Sequence, residues 1–241
     1  MDFYYSKEVK EKSKVAVILC VFVRLENLNM TLDKLQNQTN KDFDLYISDN
    51  SNNTSKVVAL IKKFAPNIGL NVSIRSDRNE FKQFSRFLLA RDLAQEGYEK
   101  VIFFDDDEIL PLTFIDECLT QYEPGTVKTF WAHKINKIYK KKIKLENDEI
   151  GNYAGTGGLI CDSSIFLNED FFDCPEEYWI VDDLWLSFYL LKYTDYKIKA
   201  LKTDIKFIND AKATFLKLKQ LKQDFSEEFI IPESEGIDPL E

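Results

Sequence analysis

The sequence predicts an α/β protein, a single domain built on a mostly parallel, doubly wound sheet, with a smaller second part and a C-terminal helix. Three observations predict it. Val15 to Val23 and Val101-Ile102-Phe103-Phe104 are short and almost wholly apolar, the pattern of strands buried on both faces of a parallel sheet. Between them, stretches with apolar residues at helical spacing alternate with further short apolar runs. At 241 residues, 44% hydrophobic and 14% aromatic, the chain can bury one full core.

Taken in order, Val15 to Val23 is the first central strand. From Glu26 to Gln38, Leu28, Leu32 and Leu35 recur at helical spacing, and the polar stretch Asn37 to Asp42 ends that helix before the strand Phe43 to Ile47. Ser48 to Asn53 is a turn-rich loop, and the Val57 to Phe64 helix and the Val72-Ser73-Ile74 strand repeat the alternation. A helix from Gln83 to Gln95 leads into the Val101 strand. Past residue 125 the pattern changes. Val127 to Ala132 reads as one strand, a lysine-rich stretch runs to Lys144, and a loop spans Gly151 to Gly158. A helix begins near Asp182, and Ala211 to Phe225 places Phe215, Leu218, Leu221 and Phe225 on one face of an amphipathic helix. The acidic tail after Ser226 reads as loosely ordered. The resulting division is 14–125, 126–205 and a C-terminal appendage, 206–241.

A formal charge of −9 and a pI near 4.9 argue against general nucleic-acid binding, which needs a net basic face. An anionic substrate would need local neutralisation, and a metal ion supplies it. Cys20, Cys118, Cys161 and Cys174 show no metal-ligand or disulfide-framework spacing, so buried, reduced thiols are expected. The apolar run after Lys14 lacks a small-residue cleavage site and is too short to span a bilayer, so the expected location is cytoplasmic.

In sheets of this kind ligands bind beyond the C-terminal strand ends, here Arg24, Asp49 and Asp105 to Asp107. Asp105-Asp106-Asp107 followed by Glu108 concentrates negative charge that a cation would offset, and hard oxygen ligands suit Mg2+ or Mn2+. At strand periodicity Asp105 and Asp107 point one way and Asp106 the other, so the first and third can share one ion.

These segments resemble the nucleotide-binding half of a GT-A-fold glycosyltransferase, most similar to the family 2 group. Val15 to Arg24 resembles the opening strand, Ile47-Ser48-Asp49-Asn50-Ser51 the second-strand aspartate motif, and Phe103-Phe104-Asp105-Asp106-Asp107 the DxD motif. The resemblance implies transfer of a sugar from a nucleotide-diphosphate sugar, UDP-sugar favoured, to a glycan or other hydroxyl acceptor, with Mn2+ or Mg2+ and inversion. It implies that Asp49 meets the base or ribose, Asp105 the ribose side with Asp106 beside it, Asp107 the metal, and Arg86 the diphosphate. Gly155-Thr156-Gly157-Gly158 resembles the acceptor-side loop, and Asp182-Asp183 the acidic pair supplying the catalytic base. Of that pair Asp183 is favoured, with Asp182 as helix N-cap. His133 reads as structural or acceptor-side rather than as a ligand. The lysines at 134, 137, 140, 141, 142 and 144 read as a solvated loop, with an anionic acceptor or peripheral membrane contact as the sharper alternative. The rival readings are a sugar nucleotidyltransferase, which would call for a glycine-rich loop after the first strand, and a catalytically silent carbohydrate-binding or scaffold domain.

Overall fold

The computed structural model describes residues 2–64, 69–146, 148–208 and 218–234. Its first half runs β1 (Asp2–Lys7), β2 (Val15–Val21), α1 (Leu28–Gln36), β3 (Asp44–Asp49), α2 (Thr54–Phe64), β4 (Val72–Ser76), α3 (Ser85–Gln95) and β5 (Lys100–Asp105). The second half runs β6 (Glu108–Ile109), α4 (Phe114–Gln121), β7 (Thr126–Thr129), β8 (Ala132–Lys134), β9 (Ile143–Lys144), β10 (Tyr153–Ala154) and β11 (Leu159–Asp162). It continues with α5 (Asp182–Tyr193), β12 (Lys197–Ala200), β13 (Lys206–Phe207), α6 (Lys219–Phe225) and α7 (Ile231–Ser234). Eight strands form one sheet in the order β1-β4-β3-β2-β5-β11-β7-β12. Strands β4, β3, β2 and β5 are parallel, β1 is an antiparallel edge, and β11 lies antiparallel between β5 and β7.

Strand β2 shows why its sequence is continuously apolar. Val15, Val17, Leu19 and Val21 pack on one side with Leu28, Leu32 and Leu35 of α1 and Val57 and Ile61 of α2. Ala16, Ile18 and Cys20 pack on the other with Phe87 and Leu93 of α3 and Leu184 and Phe188 of α5. That second layer is aromatic: Phe87 stacks on Phe166 at 5.4 Å and meets Phe103 and Phe171 edge to face. Phe87 is fully buried, so truncation to alanine should cost about 3–5 kcal/mol.

The chain order creates the cleft. From β2 it winds outward through β3 to β4, and α3 then returns it to β5 on the other side of β2. The loops leaving β2 and β5 therefore part at a topological switch point, where such sheets hold ligands. Register sets Cys20 beside both Ser48 and Asp105, so the three strands end level.

Two expectations are corrected, for Val127 to Ala132 and for the segment after Ser226, and two elements, β1 and α4, were not anticipated. Val127 to Ala132 is two strands in different sheets, because the Thr129 hydroxyl accepts from Trp131 N (3.1 Å) and donates to Gly155 O (2.6 Å), turning the chain. The N-terminal stretch forms β1, half exposed and, among the described residues, paired only with β4. The segment after Ser226 is helical through Ser234, with Ile230 buried and Ser234 accepting a hydrogen bond from Asn152 at 2.8 Å. Helix α4 lies between strands where none was expected. Of the amphipathic helix, residues 211–217 lie outside the described residues; Leu218 and Leu221 pack against the core and Phe225 is buried in it. All four cysteines are free and buried. No helix among the described residues is long and apolar enough to cross a membrane.

Candidate active site

The three consecutive aspartates at the end of β5 have three different environments. Asp105 pairs with Arg86 Nη2 at 3.0 Å and keeps about a third of its side chain exposed. Asp106 turns inward: Oδ2 accepts from the backbone N–H of Phe22 (2.9 Å) and Arg24 (3.2 Å), and Oδ1 from Arg24 Nη1 (3.1 Å). Its carboxylate thus ties the β5 loop to the β2 loop. Asp107 lies 3.5 Å from Arg24 Nη2, and burial together with the charge of Asp105 pushes its pKa up to about 6. Glu108 is buried beneath them and accepts from Asp105 N at 3.1 Å; burial raises its pKa well above the carboxylate range. Strand periodicity does not carry past Asp105: β5 ends there, Asp106 and Asp107 form a turn, and both meet the Arg24 guanidinium while Asp105 meets Arg86.

Arg86, in the first turn of α3, is 4% exposed and bridges two carboxylates, Asp105 and, through Nε at 3.0 Å, Asp182 Oδ2. Its Nη1 is buried without a hydrogen-bond partner among the described residues. A buried guanidinium donor left open at a cleft wall is suited to an anionic oxygen. Asp49 is fully buried: Oδ1 accepts from Ser51 N at 2.9 Å, while Oδ2 has no partner among the described residues. Asn50, not Asp49, lines the cleft, held by Lys82 O and Ser85 Oγ.

Helix α5 begins with the acidic pair. Asp182 is the first helical residue and makes no capping hydrogen bond, which corrects the N-cap expectation; its partner is Arg86. Burial dominates its environment and raises its pKa to about 6. Asp183 differs. Its Oδ1 accepts from Leu184 N (3.0 Å), and Oδ2 accepts from the Tyr153 hydroxyl (2.5 Å) and Lys222 Nζ (2.6 Å). Burial opposes its charge, but the Lys222 ammonium and these hydrogen bonds outweigh it and hold Asp183 below the ordinary value.

Two adjoining cavities meet at these residues. One, about 820 Å³ with its open mouth, is bounded by the ends of β2 and β5, Asn50, Asn79, Gln83, Arg86 and Asp182. The other, about 800 Å³, is walled by Trp131, Tyr139, Tyr153, Phe207 and Lys142. Asp105, Asp107, Thr156, Asp183 and Lys222 line both. The glycine-rich loop roofs the junction: a Cβ at Gly157 would lie 2.1 Å from Glu108 Oε1, and one at Gly155 2.6 Å from Trp131 Cβ. His133 stacks behind Trp131 with Nδ1 2.9 Å from Trp131 O, and burial lowers its pKa to about 4. It lines neither cavity.

The profile described as Glycosyl transferase family 2 matches residues 16–164, more than half of the sequence. The chain belongs to this family. Among solved structures, this family 2 chain is similar to the mannosyltransferase PcManGT from Pyrobaculum calidifontis, determined with GDP-Man and Mn2+. The TM-score is 0.62 at 12% identity, over 95% of this chain and 69% of the other. It is also similar to S. aureus TarS 1-349 in complex with UDP, with a TM-score of 0.52 at 19% identity, over 79% of this chain and 59% of the other. These likenesses establish the GT-A fold. No curated protein matches the chain in sequence.

In this family 2 chain no group of three or more His, Cys, Asp or Glu side chains encloses a metal site among the described residues. Of the aspartates lining the donor cleft, Asp106 is held by Arg24 and two backbone N–H groups, Asp182 by Arg86 and Asp183 by Lys222 and Tyr153, while Asp105 and Asp107 are each about a third exposed. They fit a hexacoordinate cation, because Mg2+ and similar ions are held by one or two carboxylates and complete their shell with water and phosphate oxygens. Burial first, and then the charge of Asp105, raises the pKa of Asp107, and a cation there would offset both. Tyr153, Lys222, Asn50, Asn79 and Gln83 are cleft residues that motif reading did not single out.

Proposed function

We propose that this family 2 chain transfers a sugar from a nucleotide-diphosphate sugar to an acceptor hydroxyl, with a divalent cation and inversion at the anomeric carbon. The observation that carries this reading is the position of Asp183, the one carboxylate of the acidic pair that lines both cavities. The donor occupies the cleft at the ends of β2 and β5, and the acceptor occupies the aromatic cavity. Bound between Asp105 and Asp107, Mn2+ or Mg2+ would offset the charge of the diphosphate. Arg86, through its open Nη1, supplies further positive charge as the leaving group departs. The acceptor oxygen attacks the anomeric carbon, the bond from that carbon to the diphosphate oxygen breaks with its electron pair going to the diphosphate, and Asp183 takes the acceptor proton.

Position decides between the two aspartates before basicity does. Asp182, with its pKa near 6, is the stronger base, but it lines only the donor cleft and is engaged by Arg86. Asp183 is ionised at neutral pH and reaches the junction where an acceptor hydroxyl would meet the donor. Asp49 is assigned to the nucleoside side through the turn it holds with Ser51 N, which presents Asn50 to the cleft.

A panel of UDP- and GDP-sugars with Mn2+ or Mg2+, scored by released nucleotide, tests the reading. Metal-dependent release from one donor is expected. No release from any donor in the presence of metal would overturn it.

A further inference from the structure

We propose that the acceptor is an anionic saccharide whose carboxylate or phosphate group is bound by Lys142, inside the aromatic cavity. The inference rests on the transferase reading and adds the chemical class of the acceptor. Lys142 is half buried, with Nζ 4.1 Å from the Tyr139 ring and 5.5 Å from the Tyr153 ring. Among the described residues it has no ion-pair partner, whereas Lys222 in the same cavity is spent on Asp183. Withdrawing an ammonium from water without a carboxylate is costly, and cation–π contacts recover only part of that cost. On a chain of net charge −9 with exposed acids available, a lysine turned into a cavity needs a reason.

The cavity is also polarised. Asp105, Asp107 and Asp183 lie at the end shared with the donor cleft, buried Glu108 accepts from Asp105 N beside them, and Lys142 stands among the aromatic rings. Trp131 and Phe207, 4.9 Å apart and tilted by 45°, offer apolar faces of the kind on which a sugar ring lies. An acceptor that stacks there with its hydroxyl toward Asp183 would carry its anionic group away from the carboxylates and onto Lys142. A neutral acceptor would leave that ammonium desolvated and unpaired. Burial and the charge of Lys222 lower the pKa of Lys142, the charge of Asp183 offsets only part of that, and an arriving anion relieves the remaining cost.

The test uses the intact protein with its donor, metal, and matched aryl glycosides of one sugar in neutral, uronate and 6-phosphate forms. Acceptor-stimulated nucleotide release should show a lower KM for a charged form than for its neutral counterpart, and the better of the two charged forms separates carboxylate from phosphate. Lys142→Gln should raise the charged acceptor's KM about tenfold or more, the scale of one charge-assisted hydrogen bond, and Lys142→Arg should restore much of it. If the donor turns over but neither charged form stimulates more than the neutral one, or if Lys142→Gln leaves the charged-to-neutral KM ratio unchanged, the inference falls and the transferase reading stands. If no donor turns over, both fall.

Discussion

Lys222 Nζ lies 2.6 Å from Asp183 Oδ2, joining α6 to the first turn of α5 across 39 positions of sequence, with both side chains nine-tenths buried. Removing one partner of such a pair leaves an uncompensated charge, so Lys222→Met should destabilise the fold by about 3–5 kcal/mol. The sign with pH follows from the lowered Asp183 value. In the wild-type protein this stabilisation is present at neutral pH and is lost as pH falls through the native Asp183 pKa. In Lys222→Met that pKa rises, so the acid limb of kcat/KM moves to higher pH. Urea melts and a pH-rate profile check both, and an unmoved limb would separate Lys222 from the reacting carboxylate.

Asparagine substitutions in the acidic pair should have different effects. Asp183→Asn should retain nucleotide affinity and lose roughly 10²-fold or more in transfer, the scale of a missing general base. Asp182→Asn removes one of the two carboxylates that hold Arg86, so it should raise the donor KM more than it lowers kcat. Donor titrations and saturating rates distinguish the two, and the opposite pattern would move the base to Asp182.

Metal dependence has a readout apart from turnover. With its pKa raised to about 6, Asp107 binds protons more readily in the native than in the unfolded chain, so its ionised form lowers stability near neutral pH. Asp107→Asn should therefore raise the metal-free Tm at pH 7.5, with the gain shrinking as pH falls through about 6 and vanishing near the unfolded value of ~3.9. Mn2+ should raise the wild-type Tm and leave that of the variant unmoved. An equal Mn2+ response in both proteins would take Asp107 out of the metal site.

Asp49 tests nucleoside recognition. Its buried Oδ2 has no partner among the described residues, while Oδ1 holds the turn through Ser51 N. Asp49→Ala should raise the donor KM with a smaller loss of kcat. Retained donor KM with a lowered Tm would mark it as a loop-structuring residue.

What was legible in the sequence follows from which physics leaves a local trace. Strands β2 and β5 are covered on both faces, so each reads as a continuous apolar run, and acids at such a run's end stand out. The break between β7 and β8 carries no glycine, proline, asparagine or aspartate; a threonine side chain makes the turn by bonding to a distant backbone oxygen. Strand β1, as long as β5 but half exposed, has none of that apolar continuity. Lys222 escaped notice because one lysine in a lysine-rich helix reads as solvated. Its spacing held the clue, since it falls four residues after Leu218 and three before Phe225, on the helix's apolar face. The Asp182 cap expectation failed by one position, because the helix starts one residue earlier than a capping aspartate requires and Arg86, far away in sequence, claims the carboxylate.

Proton NMR of the donor's anomeric signal, followed with Mg2+ and an acceptor, tests the central claim most directly. The account predicts that wild-type protein consumes the signal and yields a product of opposite anomeric configuration, and that Asp183→Asn, though still binding nucleotide, does so at least about 10²-fold more slowly. A donor left intact by wild-type protein, a product that keeps the donor's configuration, or an Asp183→Asn variant as fast as wild type would contradict it.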